Sequence, residues 1–541
     1  MRIAVAQINA TLGDIAENKN KILDFTLRAK KMKAQLVVFP ESCLLGYHPF
    51  DLLERTEIVS DLDRAIKEIQ KKLPNDIAIL VGTITKNPKK TGRPYFNSAV
   101  LLQKSKKPQF FHKQLLPTGD VFDEARFIEV GDLSKNYFNL FGKKFFLTIC
   151  EDIWAWPNKA GQSAYSKNPL VAIKKRKIDL VINLSASPWH IDKEKLRNYV
   201  TQKTAQNFKA PILYVNLVGA QDEIIFDGES FLMSPKGKRL LQCLKFQEDL
   251  NVFDTETQKT WAPSITDKPV EQLRKALVLG IKDFLSKAGL QKVHLGLSGG
   301  IDSAVVACLA VDALGPAAVK TLALPGPFSN SISLELAQKL AKNLNIECKS
   351  VSINKAYQLC EETFKSSLGA TDFGVAFENL QSRLRGIFLM GYSNLMNSLL
   401  LTTGNKSEYA TGYCTLYGDM CGGLAPIADL TKDQVYQLAN HYNSDTELIP
   451  SKIIERAPSA ELKPNQKDQD SLPPYEELDS AVINIVQHSK KPKTKTEKWL
   501  LEKLVQTEFK RWQSAPVLKV TSHSFGRGRR WPLAHKTFKK N

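Results

Sequence analysis

Short apolar runs alternate with polar turns through the first half of the chain, and this pattern predicts β-strands with helices between them. The predicted strands are residues 3–8, 36–39, 77–85, 98–102, 145–149, 180–184 and 212–217. Apolar residues recur at helical spacing in 51–73 and 195–208, which predicts two amphipathic helices. Many strands with interleaved helices imply a layered α/β sandwich.

The pattern changes after residue 253. Residues 254–269 are polar, contain Pro263 and Pro269 and have no apolar period, so they predict a linker between domains at 1–253 and 270–541. Beyond a helical stretch at 270–287, apolar strands alternate regularly with helices, which is typical of a doubly wound parallel sheet. These strands are predicted at 293–297, 319–324, 346–353 and 399–402. Residues 457–477 contain four prolines, and we expect a long functional loop there.

The composition is that of a folded globular chain. The 541 residues are 43% hydrophobic and 24% charged, which excludes a disordered or fibrous protein. No stretch approaches the roughly 18 uninterrupted apolar residues of a membrane span. The first residues contain Arg2, Gln7 and Asn9 and predict a strand, not a signal peptide. We therefore expect a cytoplasmic protein that does not bind a membrane.

Charge and cysteine usage add two constraints. The chain has 75 basic and 56 acidic residues, a formal charge of +19. This excess suits nucleic acid or nucleotide phosphates as partners, and it equally suits a merely basic solvated surface. The eight cysteines form no CxxC pair, so neither a zinc site nor a disulfide framework is indicated. A functional cysteine must therefore be found from its local context.

A phosphate cradle is predicted at residues 295–303, Leu-Gly-Leu-Ser-Gly-Gly-Ile-Asp-Ser, which follow a strand and open an apolar helix. The glycine pair lets backbone N–H groups approach an anion, and the helix N-terminus adds partial positive charge. Ser298 and Ser303 can donate hydroxyl hydrogen bonds, and Asp302 can hold magnesium. The chain has no GxxxxGK[ST], so this is not a Walker P-loop. A glycine pair alone would be read equally well as a helix cap.

The full Ser-Gly-Gly-Ile-Asp-Ser string resembles the signature of the ATP-pyrophosphatase (PP-loop) superfamily, whose members transfer AMP to an oxygen. Further strings narrow the resemblance: Glu-Asn-Leu-Gln-Ser-Arg at 378–383, Thr-Gly-Asn-Lys-Ser-Glu at 403–408, Thr-Leu-Tyr-Gly-Asp at 415–419 and Asp-Gln-Asp-Ser-Leu-Pro-Pro-Tyr at 468–475. Together they make residues 270–541 resemble the NAD synthetases.

That resemblance implies ATP as cosubstrate, Mg²⁺ as cofactor and nicotinic acid adenine dinucleotide (deamido-NAD) as the carboxylate that accepts AMP before ammonia displaces it. The residues it implies for ATP are Gly296, Leu297, Ser298, Gly299, Gly300, Ile301, Asp302, Ser303 and Thr403. Those implied for deamido-NAD are Asn379, Glu408 and Lys519, and those for the metal are Asp302 and Glu408. Lys406 and Lys519 are either further counter-charges to phosphate or ordinary surface lysines.

Three polar residues in the first domain suit amide hydrolysis through an acyl-enzyme, which needs a thiolate, a base and a cation. Glu41 follows Phe-Pro at a strand end, Lys113 lies in Phe-His-Lys-Gln-Leu-Leu-Pro, and Cys150 lies in Thr-Ile-Cys-Glu-Asp at another strand end. Strand ends are where such groups converge over a rigid scaffold. Without their flanking sequences, these residues are better explained by ordinary packing of a buried cysteine and by a turn at the glutamate.

With these flanking sequences, residues 1–253 resemble the nitrilase/amidase superfamily, an α-β-β-α sandwich. The resemblance implies that Glu41 is the proton acceptor, that Cys150 is the nucleophile and that Lys113 completes the triad, with Glu124 assisting. The segment Asn-Leu-Ser-Ala-Ser-Pro at 183–188 places Ser187 and Lys193 near a glutamine substrate. In one departure, Gly119 stands where glutaminases of this family carry an aromatic residue.

A domain that releases ammonia and one that consumes it form a single reaction path, because free ammonia is mostly protonated at neutral pH. The whole chain resembles the glutamine-hydrolysing NAD synthetases, which are carbon–nitrogen ligases. The resemblance implies an internal ammonia channel, three small-molecule substrates (glutamine, ATP and deamido-NAD) and a homo-oligomer formed through the synthetase domain.

Three alternatives stay open. The second domain could adenylate a different carboxylate, as in other PP-loop ligases or amidotransferases. It could modify tRNA bases, which the positive charge would suit, although the chain has no CxxC pair. The first domain could be an inactive amidase kept for assembly, an interpretation that the glycine at 119 keeps open.

Overall fold

The computed structural model describes residues 1–158, 160–173, 176–256, 267–369, 374–535 and 537. The chain forms two compact units, Met1–Thr266 and Asp267–Asn541. Of the predicted linker 254–269, residues 257–266 lie outside the described residues. None of the helices within the described ranges combines the length and the apolarity that crossing a membrane requires.

The first unit contains two six-stranded sheets. In chain order its strands are β1 (Arg2–Gln7), β2 (Leu36–Val38), β3 (Ala78–Lys86), β4 (Tyr95–Leu102), β5 (Gln109–His112), β6 (Tyr137–Leu140), β7 (Lys143–Ile149), β8 (Leu180–Ser185), β9 (Ile212–Asn216), β10 (Val218–Gln221), β11 (Ile224–Asp227), β12 (Phe231–Met233), β13 (Arg239–Gln242) and β14 (Asp249–Asp254). One sheet has the order β14-β1-β2-β3-β4-β5 and the other β13-β12-β9-β8-β7-β6, while β10 and β11 form a separate hairpin.

The centre of each sheet is parallel. Strands β1, β2 and β3 pair in parallel in one sheet, as do β7, β8 and β9 in the other. The carboxyl ends of such strands meet at one edge of the sheet, where loops can present functional groups. Glu41 follows β2, Cys150 follows β7 and Ser187 follows β8.

Strands buried on both faces explain the continuous apolar runs in the sequence. In β2, Leu36 and Val38 lie in the core between the sheets, whereas Val37 packs under the helices on the outer face. Those outer helices are α1 (Ile15–Lys31) and α2 (Thr56–Lys72). The second sheet is covered by α3 (Pro169–Ala172) and α4 (Lys193–Phe208). The predicted α-β-β-α sandwich is confirmed.

The second unit contains a four-stranded parallel sheet of order β17-β16-β15-β18. Its strands are β15 (Val293–Gly296), β16 (Val319–Ala323), β17 (Glu347–Ser350) and β18 (Leu399–Leu400). Its helices are α5 (Pro269–Lys287), α6 (Ile301–Leu314), α7 (Ser331–Asn343), α8 (Asn354–Leu368), α9 (Val375–Met396), α10 (Lys406–Thr411), α11 (Lys432–Tyr442), α12 (Ser451–Glu455), α13 (Tyr475–Val482), α14 (Lys495–Gln506) and α15 (Glu508–Arg511). The predicted PP-loop fold, a doubly wound parallel sheet, is confirmed.

Some element bounds differ from the predicted ones. The helix predicted at 51–73 is split, because Phe50–Glu54 forms a separate 3-10 helix before α2. The loop predicted at 457–477 contains a short 3-10 helix, Asp468–Asp470, and gives way to α13 at Tyr475. Helix α1 has no counterpart in the prediction, because its buried face is interrupted by the polar Asn18 and Thr26.

Candidate active sites

In the first unit, Glu41 is fully buried at the carboxyl end of β2, and both of its oxygens are paired. Its Oε1 accepts hydrogen bonds from Lys113 Nζ and Asn97 Nδ2, each at 2.8 Å. Its Oε2 accepts the backbone N–H of Ala186 at 2.8 Å. These contacts hold the carboxylate against the residues that follow β5 and β8 and against Asn97 within β4, so the predicted proton acceptor has one defined position.

Lys113 is also fully buried and bridges two carboxylates. Besides Glu41, its ammonium donates to Glu124 Oε1 at 2.8 Å, and the Tyr47 hydroxyl donates to the same oxygen at 2.7 Å. Burial lowers the pKa of Lys113, but the two carboxylates more than offset it and hold that pKa well above its usual value. The lysine is therefore a fixed positive charge.

Cys150 lies where β7 ends and a 3-10 helix, Cys150–Ile153, begins. Its φ of +42° is a left-handed conformation that residues other than glycine rarely adopt. The turn is held by Asp152, whose Oδ2 accepts Ile149 N–H at 2.8 Å while Oδ1 accepts Leu115 N–H at 2.9 Å. Since Leu115 lies just beyond Lys113, this carboxylate ties the nucleophile loop to the lysine loop.

The electrostatics of the thiol define its chemistry. Burial raises the pKa of Cys150 well above its usual value, and the charge of Glu41 raises it further, while Lys113 and a backbone hydrogen bond from Ala186 oppose the shift. Burial likewise raises the pKa of Glu41 above that of an ordinary glutamate. A neutral thiol therefore lies beside a carboxylate of increased basicity, and the two share the Ala186 backbone as a neighbour.

The predicted glutamine-binding residues lie just after β8 and at the start of α4. Ser187 is buried, and its N–H donates to Asn216 Oδ1 at 2.9 Å. Lys193 begins α4, with Nζ 4.0 Å from the centre of the Trp154 ring. The lysine charge also lowers the pKa of Glu151, although burial raises that pKa more strongly. The charge of Lys193 therefore acts on Glu151, the residue that follows the nucleophile.

At Gly119 the chain lacks the aromatic residue of the family pattern, and the space beside this glycine is open. A Cβ added there would meet nothing within 4 Å. Another aromatic residue lies close by. The Tyr165 hydroxyl donates to Glu151 Oε1 at 2.8 Å and lies 3.4 Å from the Leu116 carbonyl oxygen. Tyr165 was not singled out in the sequence, because it lies in a polar segment without a recognisable motif.

In the second unit, the predicted cradle connects β15 to α6. The Ser298 Oγ accepts Gly300 N–H at 3.2 Å and lies 3.1 Å from Ser303 Oγ. Gly299 has a φ of +77°, and a Cβ there would collide with the Ser333 carbonyl oxygen. The loop is thus a tight turn directed into a helix N-terminus, as anion binding requires.

Asp302 and Glu408, the predicted metal ligands, converge on the ammonium of Lys432. Asp302 Oδ2 lies 2.5 Å from Lys432 Nζ, and Glu408 Oε1 lies 3.9 Å from it. Asn405 links them further, because its Nδ2 donates to Asp302 Oδ1 at 3.0 Å and its N–H to Glu408 Oε2 at 3.1 Å. Burial raises the pKa of Glu408 well above its usual value, and Asp302 and Asp468 add to that shift.

This donor set fits magnesium. Mg²⁺ is usually held by one or two carboxylates together with substrate phosphates, and two carboxylates lie directly beside the phosphate cradle. Within the described ranges, no group of three or more His, Cys, Asp or Glu side chains could hold a metal ion by itself. A metal here would therefore depend on oxygen ligands from the substrate. The raised pKa of Glu408 indicates a carboxylate that a cation would stabilise.

A cavity of about 550 Å³ opens over the cradle, a volume within the range of ligand pockets. The predicted site residues that line it are Gly296, Leu297, Ser298, Gly300, Ile301, Asp302, Ser303, Asn379, Thr403 and Glu408. Gly299, which is part of the turn, does not line it. Lys432, Asp468 and Arg385 also line it and were not named as site residues, although Asp468 opens one of the strings that carry the resemblance. Neither spacing nor motif indicates that Lys432, in the first turn of α11, lies at the cradle.

Lys519 and Lys406, the two lysines that the sequence suggested as counter-charges, are both buried in the second unit. Lys519 is buried with Nζ 3.1 Å from the Ser522 carbonyl oxygen, and it does not line the cavity. Lys406 is fully buried and donates to Asp429 Oδ1 and Thr521 Oγ1, each at 2.7 Å. Lys406 is therefore a structural anchor for the chain near Thr521, and neither of the two is a surface lysine.

The fold and the two sites define a fusion of two enzyme classes, and comparison with known proteins agrees. Residues 2–260 match the carbon-nitrogen hydrolase family and residues 273–517 match NAD synthase. The chain is 43% identical to the glutamine-dependent NAD(+) synthetase of Synechocystis sp., over 98% of each chain. It is 34% identical to that of Aquifex aeolicus, over 100% of each.

A solved structure extends the comparison. The glutamine-dependent NAD+ synthetase from Acinetobacter baumannii, in complex with adenosine diphosphate, is 32% identical, with a TM-score of 0.78 over 98% of each chain. The chain belongs to the family of glutamine-dependent NAD(+) synthetases.

Proposed function

We propose that this chain makes NAD from deamido-NAD and ATP, using ammonia that its first unit releases from glutamine. The products are NAD, AMP, pyrophosphate and glutamate. The observation that carries the proposal is that each unit of this family member has a complete set of reactive groups. In the first unit Lys113 donates to Glu41 at 2.8 Å, and burial and the charge of Glu41 raise the pKa of Cys150 while the charge of Lys113 opposes that shift. The cradle, Asp302 and Glu408 border one cavity in the second.

In the glutaminase step, Cys150 is the nucleophile. Because burial keeps its thiol protonated, the proton must leave as sulfur attacks the amide carbon, and Glu41 is the acceptor. The same proton then passes from Glu41 to the departing nitrogen, which leaves as ammonia. A water attacks the resulting thioester with Glu41 again as base, and glutamate is released. Lys113 and Glu124 hold the base in place and keep the buried charges balanced.

Glutamine binding is assigned to the rim of this site. Ser187 and Lys193 are the predicted contacts, and Lys193 can pair with the substrate carboxylate. Glu151 follows the nucleophile in the chain, and the Tyr165 hydroxyl donates to it at 2.8 Å. We assign the Tyr165 hydroxyl, together with Glu151, to the part of the pocket that the glycine at 119 leaves open.

In the synthetase step, the carboxylate of deamido-NAD attacks the α-phosphorus of ATP and pyrophosphate leaves. The cradle N–H groups, Ser298 and Ser303 bind the phosphates, and Thr403 lies at the edge of the same cavity. Asp302 and Glu408 would hold Mg²⁺, which when bound neutralises phosphate charge. Lys432 supplies a fixed positive charge beside them. Ammonia then attacks the acyl-adenylate, forms the amide of NAD and releases AMP.

Asn379, Glu408 and Lys519 are the proposed contacts for deamido-NAD. Asn379 is held on α9 by a 2.6 Å hydrogen bond from the Thr415 hydroxyl and lines the cavity. Glu408 lines the same cavity. Lys519, which is buried and does not line the cavity, stays a prediction, as do the ammonia channel, the cytoplasmic location and the absence of a nucleic-acid or membrane partner.

We further propose a homo-oligomer through the synthetase domain. Along α8 and α9, large apolar side chains are exposed: Leu359, Leu368, Ile387, Met390 and Leu395. A cluster of this kind is typical of a protein interface. Light scattering should show an oligomer, and Ile387→Asp should shift it towards a smaller species.

The decisive experiment measures NAD formation from deamido-NAD, ATP and Mg²⁺ with glutamine or ammonium chloride as donor. Cys150→Ala should lose the glutamine reaction and keep the ammonium reaction, and Cys360→Ala, a cysteine in α8, serves as the matched control with both intact. If the wild-type protein makes NAD from neither donor, the proposed acceptor is wrong and another carboxylate must be adenylated.

A further inference from the structure

One fully buried ion pair of the first unit takes no direct part in the proposed reaction. Arg197 of α4 forms two parallel hydrogen bonds to Asp227, the last residue of β11. Its Nη1 donates to Oδ2 and its Nη2 to Oδ1, each at 2.8 Å. The arginine side chain is 0% exposed and the aspartate 1% exposed. The cost of removing two charges from water can exceed their attraction, so stability by itself does not explain the pair.

Asp227 connects this ion pair to Asn216, the last residue of β9. Asn216 Nδ2 donates to Asp227 Oδ1 at 3.2 Å and to the Gly228 carbonyl oxygen at 3.0 Å. Both acceptors belong to the two-residue segment that Arg197 holds. Because only the nitrogen of an amide side chain can donate, these acceptors fix which end of the Asn216 amide faces them.

The same amide holds Ser187, one of the two proposed glutamine contacts. Asn216 Oδ1 accepts Ser187 N–H at 2.9 Å, and Nδ2 lies 3.3 Å from the Ser187 carbonyl oxygen. The preceding residue, Ala186, donates its N–H to Glu41 at 2.8 Å. Asn216 therefore holds both backbone groups of Ser187, directly beside the residue that binds the proposed base.

The arginine end of the ion pair leads to the second proposed contact. Arg197 lies four residues after Lys193, which begins α4, and side chains at that spacing share one face of a helix. The bond to Asp227 anchors this face of α4 to the end of β11. The turn that begins at Lys193 is anchored with it, so one ion pair fixes the segments that present both glutamine contacts.

We propose that Arg197 and Asp227 are positioning residues of the glutaminase, whose ion pair holds Ser187 and Lys193 in place for one glutamine molecule. They act on Ser187 through Asn216 and on Lys193 through α4. The inference rests on the proposed function, because Ser187 and Lys193 are the glutamine contacts assigned there.

The test compares two double variants that differ only at position 227. Arg197→Met/Asp227→Leu removes both charges and the acceptor for Asn216. Arg197→Met/Asp227→Asn removes the same charges and keeps an amide oxygen that can accept from Asn216. Both avoid leaving one charge of the pair buried and unpaired, which would destabilise the fold strongly. Glu229, which also lies 3.2 Å from Arg197, keeps its 2.7 Å ion pair with Arg239.

The quantity measured is kcat/KM for glutamate release from glutamine by the full chain. It should fall at least about tenfold in the leucine variant, which loses both the hydrogen bond to Asn216 and the anchor of α4. The asparagine variant should retain at least about threefold more activity than the leucine variant, since one hydrogen bond is restored. Equal losses in the two variants would show a purely structural role and overturn the proposal, as would no loss in either.

A second comparison tests the route through Asn216. Asn216→Ala by itself should lower kcat/KM for glutamine about fivefold or more, because Ser187 loses its backbone partner. Added to the leucine variant, it should cause less than about twofold further loss, since Asp227 acts on Ser187 through the same amide. Losses that multiply in full would show that the two sites act independently and would overturn this route.

Arg239→Met is the matched control. Arg239 belongs to the same charge network and donates to Glu229 at 2.7 Å, so its replacement should change kcat/KM for glutamine by no more than about twofold. Ammonium-dependent synthesis should be unchanged in every variant, because that reaction uses the second unit. If the wild-type protein released no glutamate from glutamine, the proposed function would fail and the positioning role with it. An active wild type whose double variants are equally active overturns the positioning role alone.

Discussion

Lys432 Nζ lies 2.5 Å from Asp302 Oδ2, which joins the first turn of α11 to the first turn of α6. The lysine is almost completely buried. Burial lowers its pKa, but Asp302 and Glu408 more than offset this and keep it charged. A fixed cation therefore lies between the two carboxylates proposed to hold the metal, at the floor of the phosphate cradle.

Replacing this cation should abolish synthesis with either donor. In Lys432→Met, two partly buried carboxylates lose their counter-charge and the transferring phosphate loses a cation, so NAD formation from ammonium should fall by at least about 100-fold. Glutamate release from glutamine in the first unit should persist. Lys452→Met, at an exposed lysine in α12, is the control and should be fully active. A fully active Lys432→Met would remove the lysine from the proposed mechanism.

The pH dependence of glutamine hydrolysis should report Glu41. Because burial raises the pKa of Glu41, the carboxyl takes up its proton at a higher pH than the usual value of about 4.3. Since only the ionised form can accept the thiol proton, kcat/KM for glutamate release should fall as pH is lowered, with an apparent pKa above 4.3. The prediction is wrong if this acid limb lies at or below the ordinary glutamate pKa.

Glu41→Gln keeps the shape of the side chain and removes the base. Glutamate release should fall by about 100-fold to 10,000-fold at every pH, and ammonium-dependent synthesis should be retained. Glu57→Gln, at an exposed position of α2, provides the matched control with a normal pH profile.

The Tyr165 hydroxyl should affect glutamine binding more than turnover. Its 2.8 Å hydrogen bond to Glu151 is made beside the nucleophile, and burial together with Glu151 raises the pKa of Tyr165. Tyr165→Phe removes this hydrogen bond to Glu151 and lets that side chain leave the assigned part of the glutamine pocket, so the KM for glutamine should rise by up to about tenfold. Tyr199→Phe, whose hydroxyl donates to the Pro157 carbonyl, is the control. An unchanged KM for glutamine in Tyr165→Phe would show that the Tyr165 hydroxyl does not replace the aromatic residue that is missing at Gly119.

The sequence predicts the groups that lie at strand ends and inside recognisable strings. Glu41 and Cys150 follow β2 and β7, whose apolar runs predicted strands, whereas Lys113 follows β5, which was not predicted as a strand, so that lysine was found from its flanking sequence alone. The phosphate cradle could also be predicted, because its turn and the start of its helix are adjacent in the chain.

Groups brought in by tertiary packing could not be predicted. Asn97 reaches Glu41 from the middle of an apolar strand, where an asparagine gives no sign of its partner. Lys432 lies in an ordinary helix start, 130 residues from Asp302. Lys406 looked like a phosphate ligand in a glycine-containing string, and its burial against Asp429 makes it an anchor. Such contacts depend on which helix ends and strands pack against each other in the folded protein, and the sequence alone does not show this.

Gly299 offers a final test of the cradle, with Gly289 as its matched control. Both have positive φ, +77° and +72°, so alanine should cost each about 1–2 kcal/mol of folding free energy. Only at Gly299 would the added Cβ collide with the Ser333 carbonyl oxygen, since a Cβ at Gly289 meets nothing within 4 Å. Gly299→Ala must therefore displace the turn, and the KM for ATP should rise at least about tenfold with either ammonia donor. Gly289→Ala should lower the midpoint of urea unfolding and leave the KM for ATP unchanged. If both variants raised that KM equally, the effect would come from general loss of stability, and the turn would not be the phosphate site.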